Sequence, residues 1–261
     1  MNVAVIIILL AIVGAGMGSF ACCQAWRIRK SDKSRRSHCM NCNYKLKWYD
    51  NIPVLSWVFF GGKCRKCHKK IGVAEIISEV LLAAAFALSY VFWPWRAELD
   101  NGNVLAIMRF VLFLIQQVMF MLVAVYDAKW KEMPTAILIA NCVVGVAFLC
   151  CGGLTWERIP SLAGALLILP GFYYLMYKVS KEKWVGGGDP ILCVALAMML
   201  GDFWLSMFTL FAANVIGSVV MLPVSIAKRD GKMQIPFGPF LILGFLVVFF
   251  CRSFFLNLVS I

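Results

Sequence analysis

Long apolar stretches with few charged residues dominate this chain and restrict the folds open to it. They lie at about residues 3–26, 76–95, 104–126, 135–154, 159–177 and 237–258, with a longer tract at 190–223 that Gly201 and Asp202 divide in two. A helix needs about 20 apolar residues to cross the hydrocarbon core of a bilayer. With 62% hydrophobic and 15% charged residues, the chain is too apolar for a single soluble core. It is predicted to be an all-α polytopic integral membrane protein with about eight transmembrane helices.

The distribution of basic residues predicts the orientation of these helices. No basic residue precedes the first stretch, which favours a retained helix with an outer N-terminus over a cleaved signal peptide. Alternating helices then place the loops at 27–74, 127–134, 178–188 and 225–236 inside, and these contain 21 of the 25 Lys and Arg residues. Basic loops stay on the cytoplasmic side. Four arginines remain for the outer side: Arg96, Arg109, Arg158 and Arg252.

The net charge of +12 lies mostly in the first loop, at residues 27–74. This loop contains thirteen Lys and Arg residues and, before the next helix begins, only two acidic residues, Asp32 and Asp50. Attraction to anionic lipid on the inner leaflet explains such a loop, and no basic groove with interleaved aromatic residues is evident. We therefore expect membrane lipid, and no nucleic acid, as a partner.

Four cysteines of the first loop have the spacing of a metal site. Cys39-x-x-Cys42 and Cys64-x-x-Cys67 are separated by 21 residues, and the other seven cysteines lie in apolar stretches. Two such pairs present four thiolates, the set that structural zinc binds in tetrahedral geometry. A pair of disulfides is the alternative, but thiols stay reduced in the cytosol, where the loop is predicted to lie.

Two aspartates, Asp127 and Asp189, lie at the ends of apolar stretches and fall on the cytoplasmic side in the predicted topology. An acid at the edge of the hydrocarbon is costly and usually functional, and two carboxyls are enough to hydrolyse a peptide bond without a metal. Gly186, Gly187 and Gly188 would let the backbone approach another helix or a substrate closely. Alternatively, Asp189 before Pro190 fits a simple helix N-cap.

Five ordered blocks of this sequence resemble the bacterial type IV prepilin peptidases. They are Gly18-Ser19-Phe20; the cysteine loop with Trp48-Tyr49-Asp50-Asn51-Ile52-Pro53-Val54-Leu55-Ser56-Trp57 between its Cys pairs; Asp127-Ala128-Lys129-Trp130-Lys131-Glu132-Met133-Pro134; Gly186-Gly187-Gly188-Asp189; and Ile235-Pro236-Phe237-Gly238-Pro239-Phe240. The chain departs from the usual family pattern at Ile191, where the family generally has lysine.

The resemblance implies a membrane aspartic protease of the Gly-x-Gly-Asp type, with Asp127 and Asp189 as its catalytic residues. Gly186, Gly187, Gly188 and the helical acid Glu79 match supporting positions of the family. The implied substrates are prepilin or pseudopilin precursors, cut on the cytoplasmic side of the bacterial inner membrane. The family also implies methylation of the new N-terminus with S-adenosylmethionine, an activity that no dinucleotide-type fingerprint marks here.

The predicted organisation has three parts. Residues 1–26 form the first transmembrane helix, 27–74 the zinc loop, which the resemblance associates with methyl transfer, and 75–261 the multi-helix peptidase domain. Two other classes of function remain open from the residues themselves. One is a transporter that uses the acidic pair, and the other is a non-catalytic membrane adaptor that presents the zinc loop.

Overall fold

The computed structural model describes residues 2–31, 37–39, 41–153, 155–181, 185–228 and 236–259; Asp32 and Ile235 lie outside them. These residues form eleven α-helices, two 3-10 turns (Trp48–Asn51 and Trp156–Arg158) and isolated β-bridges without longer strands. The helices are α1 Val3–Lys30, α2 Leu55–Phe59, α3 Val73–Val91, α4 Arg96–Asp100, α5 Val104–Trp130, α6 Thr135–Cys151, α7 Ile159–Ser180, α8 Gly188–Leu200, α9 Phe203–Lys228, α10 Gly238–Phe250 and α11 Arg252–Val259.

Several of these helices have the length and composition of membrane spans. Five described helices qualify individually, and the pair α10 and α11 raises the number to six if this bent pair is one span. Two further apolar helices, α6 and α8, have only 17 and 13 residues. The all-α polytopic prediction is confirmed, and a helix lies on each predicted stretch. The last stretch is not one straight span, because α10 and α11 meet at 75°.

The chain divides into two compact units, Met1–Val91 and Phe92–Ile261. In the first unit, α1 packs along α3 through glycines one helical turn apart. A Cβ on Gly14 would lie 2.6 Å from the Leu82 carbonyl oxygen. A Cβ on Gly18 would collide with the carbonyl oxygen of Ser78. The Ser78 hydroxyl donates to the Gly18 carbonyl at 3.2 Å. Small residues at this spacing let two membrane helices approach closely, which gives Gly18 in the first sequence block a packing role.

In the second unit, the short helix α8 is surrounded by other helices. It packs chiefly against α6 and α7, and it also contacts α9 and α10. Nine of its 13 residues are buried, starting with Asp189 and ending with Leu200. A helix too short to cross the membrane alone is tolerated where protein encloses it. The second unit therefore places the beginning of α8, and with it Asp189, inside the protein.

Candidate active site and metal centre

Asp127 lies in the last turn of α5 and is only 5% exposed. Helix α5 ends just beyond it, where Lys131 adopts a left-handed conformation and donates its backbone N–H to the Asp127 carbonyl at 2.7 Å. One carboxylate oxygen, Oδ2, accepts the backbone N–H of Gly238 at 2.9 Å. Gly238 is the first residue of α10, and the positive end of a helix dipole favours a nearby carboxylate.

Glycine is required at position 238 by space. A Cβ there would lie 2.9 Å from Asp127 Oδ2 and 2.6 Å from Met133 Cε. Such contacts are closer than van der Waals packing allows, so any larger residue would move the carboxylate or the methionine. Gly238, from the fifth sequence block, is therefore a contact of Asp127 that sequence reasoning did not single out.

Asp189 is the second residue of α8 and is 4% exposed. Its Oδ2 accepts the backbone N–H of Gly186 at 2.9 Å, and its own N–H donates to the Gly186 carbonyl at 3.2 Å. The simple N-cap interpretation is wrong, because Gly187 occupies the N-cap position. Oδ1 of Asp189 is buried and has no hydrogen-bond partner among the described residues. The hydrogen-bonding capacity of this oxygen is therefore unused within the described residues.

The other two glycines of the triplet have no side chain, and this leaves room for neighbouring side chains to pack against the backbone. A Cβ on Gly187 would lie 3.4 Å from the Tyr177 ring, and one on Gly188 would lie 2.7 Å from Met133 Cβ. The close approach predicted for this backbone is thus present at Gly188. Gly188 approaches Met133, which belongs to the segment that follows Asp127. Met133 lies between Gly188 and Gly238.

Met133 joins the two carboxylates into one site. It contacts the position next to Asp189 on one side and the residue that binds Asp127 on the other. Ionised carboxylates at these two positions would repel each other. The structure therefore brings together two residues 62 positions apart in sequence (189 − 127). Their catalytic role stays a prediction.

Aromatic residues and an asparagine border this site. The buried Tyr173 of α7 accepts a hydrogen bond from Asn214 Nδ2 of α9 at 3.0 Å. Its ring lies 5.5 Å from that of Phe237, the residue before Gly238. Sequence reasoning missed Tyr173 and Asn214, although polar groups inside apolar stretches are a signal that could have found them.

The four loop cysteines converge as the spacing predicts. Their sulfur atoms all lie within 4.8 Å of one another, with Cys39 to Cys67 at 3.8 Å and Cys42 to Cys64 at 3.9 Å. A tetrahedral site with metal–sulfur bonds of about 2.3 Å has sulfurs about 3.8 Å apart. These separations exceed a disulfide bond of about 2.05 Å, and all four cysteines are free. The cluster can hold a metal ion such as zinc.

The two Cys-x-x-Cys segments have the same backbone hydrogen bonds. Cys39 donates its N–H to the Tyr44 carbonyl and accepts from the Asn43 N–H, each at 2.9 Å. Likewise, Cys64 donates its N–H to the Lys69 carbonyl and accepts from the His68 N–H, each at 2.9 Å. Backbone N–H groups of Cys67 and Lys66 also lower the pKa of the Cys64 thiol to about 7. This repeated geometry presents the sulfurs as a preformed set of ligands.

Asp50 connects the two halves of the loop. Its side chain accepts the Lys47 backbone N–H at 3.1 Å and the Tyr44 hydroxyl at 3.4 Å. Arg65, between the cysteines of the second pair, lies 3.5 Å from its other oxygen. Because the Asp50 carboxylate is only 4% exposed, these bonds contribute more to the stability of the loop than those of a surface ion pair would.

Two family models match successive parts of this chain. The model of the bacterial peptidase A24 N-terminal domain matches residues 12–93, and that of the type IV leader peptidase family matches residues 114–222. The chain belongs to the type IV leader peptidase family. The two matches cover the metal cluster and both aspartates, and no solved structure matches significantly.

Named relatives agree with this membership. A type 4 prepilin-like proteins leader peptide-processing enzyme of Escherichia coli is 29% identical, over 84% of this chain and 77% of the relative. A prepilin leader peptidase/N-methyltransferase of Vibrio cholerae is 26% identical, over 94% and 97%. One of Burkholderia pseudomallei with the same name is 30% identical, over 80% and 65%.

Glu79, the supporting acid of the family pattern, lies in the first unit, on α3. Its Oε2 accepts the backbone N–H of Val54 at 2.7 Å, and the residue is 7% exposed. Val54 has φ 61°, a conformation that is costly for a β-branched residue. Glu79 therefore fixes the strained turn before α2 through the backbone of Val54.

Ile191, at the position where the family generally has lysine, lies in the first turns of α8. The described hydrogen bonds of the two carboxylates come from the backbone amides of Gly186 and Gly238. Backbone amides do not depend on the side chain at position 191. The departure from the family pattern therefore leaves the geometry of both aspartates intact.

Proposed function

We propose that this chain is a membrane aspartic endopeptidase that removes the leader peptide from type IV prepilin or pseudopilin precursors. The observation that supports it most is the pair of buried aspartates joined through Met133, each with one oxygen bound by a backbone amide. Membership in the leader peptidase family and the names of its relatives give the substrate class. Neither the transporter nor the adaptor hypothesis gains support from these observations.

The proposed reaction uses the two carboxyl groups as a unit that holds one proton. Two carboxylates that interact electrostatically in a buried site favour sharing one proton over double ionisation. The ionised carboxylate takes a proton from water while the water oxygen attacks the scissile carbonyl carbon, and the protonated carboxyl donates to the carbonyl oxygen. Collapse of the tetrahedral intermediate breaks the C–N bond, and the leaving amine takes up a proton. The Asp189 Oδ1 is the atom proposed to bind the water.

We further propose that both aspartates and the metal loop lie on the cytoplasmic side of the inner membrane. The support is the charge distribution, with 21 of 25 basic residues in the four loops assigned to that side. Prepilin leaders would then be cut before the mature chain leaves the cytoplasmic side.

The metal of the loop is proposed to be zinc with a structural role. Four sulfur ligands complete a tetrahedral shell and leave no position for a water molecule or substrate. The loop folds without an extended core of its own, so metal binding would supply much of its stability.

Methylation of the new N-terminal amine is proposed as a second activity. It is supported by the names of the Vibrio and Burkholderia relatives. S-adenosylmethionine would supply the methyl group. No group of the described residues can be assigned to this cofactor.

The test is a cleavage assay with purified protein and a candidate prepilin, read by mass spectrometry. Asp127→Asn and Asp189→Asn should each lower leader removal by at least about 10³-fold, because each removes a proton-transfer group. Asp202→Asn is the matched control. Asp202 also lies at a helix start, but its oxygens bind Leu205 N–H and the Ser161 hydroxyl.

Equal cleavage by wild type and either active-site variant would show that the aspartates are not the catalytic pair. Loss of cleavage in Asp202→Asn as well would point to a folding defect shared by all three variants. The mass of the mature fragment settles methylation in the same experiment, because transfer adds one methyl group.

A further inference from the structure

Three of the four arginines that charge counting leaves outside the cytoplasmic loops come together in the second unit. Arg109 Cζ lies 3.4 Å from the centre of the Trp95 ring, and Arg252 Cζ lies 5.5 Å from the same centre. Arg158 is linked to Arg109 through Gly152, which contacts both side chains. The Gly152 carbonyl accepts Arg158 Nη1 at 3.4 Å, and a Cβ on Gly152 would lie 2.9 Å from Arg109 Cζ. We call Arg109, Arg158 and Arg252 the arginine cluster.

The arginine cluster lies at the end of the helices opposite the two aspartates. Arg109 is near the start of α5, whose last turn carries Asp127. Arg252 Nη1 donates at 2.9 Å to the carbonyl of Leu200, the last residue of α8, whose first turn carries Asp189. The cluster is therefore a feature separate from the proposed active site.

The positive charge of the cluster is not neutralised by direct partners. The three guanidinium groups repel one another, and Glu98 and Asp202 attract them only from a distance. Among the described residues, none of the three arginines forms an ion pair. Arg109 Nε is buried without a hydrogen-bond partner in the same residues. Partly dehydrated cations in this arrangement are costly unless an anion completes the site.

The surroundings indicate which anion would suit the cluster. At the same end of the helices, Trp156 is 88% exposed and Trp204 is 45% exposed. Exposed indoles are typical of the membrane–water boundary, where lipid phosphates lie. Guanidinium groups bind phosphate oxygens in pairs, and more tightly than a point charge would. We propose that the arginine cluster binds the phosphodiester of an anionic phospholipid headgroup at the face of the membrane opposite the active site.

The test uses the full-length chain, stripped of lipid in a neutral detergent. Phosphatidylglycerol, phosphatidylcholine or inorganic phosphate is added back, and binding is followed by native mass spectrometry and by the thermal unfolding midpoint. Phosphatidylglycerol should bind saturably and raise the midpoint most. Phosphatidylcholine should bind more weakly, since its choline group is repelled. An equal rise with inorganic phosphate at the same concentration would overturn the assignment to a lipid.

Arg158→Gln is the informative variant because Arg158 is exposed and can be replaced without leaving a cavity. It should weaken phosphatidylglycerol binding about fivefold, the loss expected for one basic residue near a lipid surface. Arg158→Lys should restore only part of the lost affinity, because an ammonium group cannot form the paired bonds of a guanidinium group. Arg96→Gln is the matched control, since Arg96 pairs with Asp100 at 2.9 Å, and it should bind as the wild type does.

Wild-type affinity in Arg158→Gln, or an equal loss in Arg96→Gln, would overturn the proposal. The unfolding midpoint in lipid-free detergent checks that each variant is folded. A variant whose midpoint equals that of the wild type without lipid, but which rises less on addition of phosphatidylglycerol, would support a binding role.

Discussion

At the scale of single residues, backbone amides hold the two carboxylates. Asp127 receives the N–H of Gly238 and Asp189 that of Gly186. A backbone donor cannot rotate away as a side chain can, so it fixes the carboxylate at little entropic cost. At position 238, glycine lets the donor approach without a Cβ in the way, since a Cβ there would lie 2.9 Å from Asp127 Oδ2. The position of the Asp127 carboxylate therefore depends on this glycine.

Replacing Gly238 by alanine should therefore damage catalysis more than stability. The added Cβ would be 2.9 Å from Asp127 Oδ2, so the carboxylate must move, and displacements of this kind cost about 10²-fold in rate. Overpacking should cost only about 1–3 kcal/mol of stability. The rate of leader cleavage and the unfolding midpoint measure the two effects. Gly171→Ala is the control, since a Cβ there meets nothing within 4 Å.

At the scale of elements, the first unit contains two structural features, the cysteine loop and the packed helices α1 and α3. The loop repeats one backbone pattern around each cysteine pair, and Asp50 joins the halves. The helix pair depends on Gly14 and Gly18, where the backbones approach most closely. The cysteine loop uses short sequence spacings, and this explains why it was visible in the sequence. The packing of α1 on α3 joins Gly18 to the distant Ser78 and was not predicted from the sequence.

Removing the metal should unfold the cysteine loop. Cys64→Ser, or a strong zinc chelator, should abolish the one zinc ion per chain expected from elemental analysis, because three sulfurs bind zinc far less tightly than four. Proteolysis between residues 41 and 71 should then increase. Cys251→Ser is the control, since Cys251 is exposed and lies outside the cluster. Unchanged zinc content in Cys64→Ser would contradict the assignment of the cluster.

Gly18→Leu should separate α1 from α3. The new side chain would collide with the Ser78 carbonyl, and overpacking of this kind costs about 1–3 kcal/mol. The thermal unfolding midpoint should fall by roughly 2–4 °C for each kcal/mol lost. At Gly16 a Cβ meets nothing within 4 Å, so Gly16→Leu should leave the midpoint unchanged. A similar fall in both variants would mean that helix packing is not the cause.

At the scale of the whole molecule, the second unit combines two polar ends with an apolar interior. One end carries Asp127 and Asp189, and the other carries the arginine cluster, while the stacked rings of Phe113 and Phe249 lie 4.3 Å apart in the interior. The buried helix α8 connects the two ends, since it starts beside Asp189 and its last carbonyl binds Arg252. The two ends of this unit therefore carry groups of opposite charge.

The sequence by itself determined the membrane class, the cysteine cluster and the identity of the two aspartates. Hydrophobic length, Cys spacing and isolated acids are local signals, and each follows from the chemistry of a few neighbouring residues. Only the tertiary structure decided that Gly238 binds Asp127, that Met133 joins the acids and that Arg109, Arg158 and Arg252 converge. These contacts join residues from separate helices, and helix packing sets such meetings through side-chain shape and volume, which no periodicity in the chain encodes.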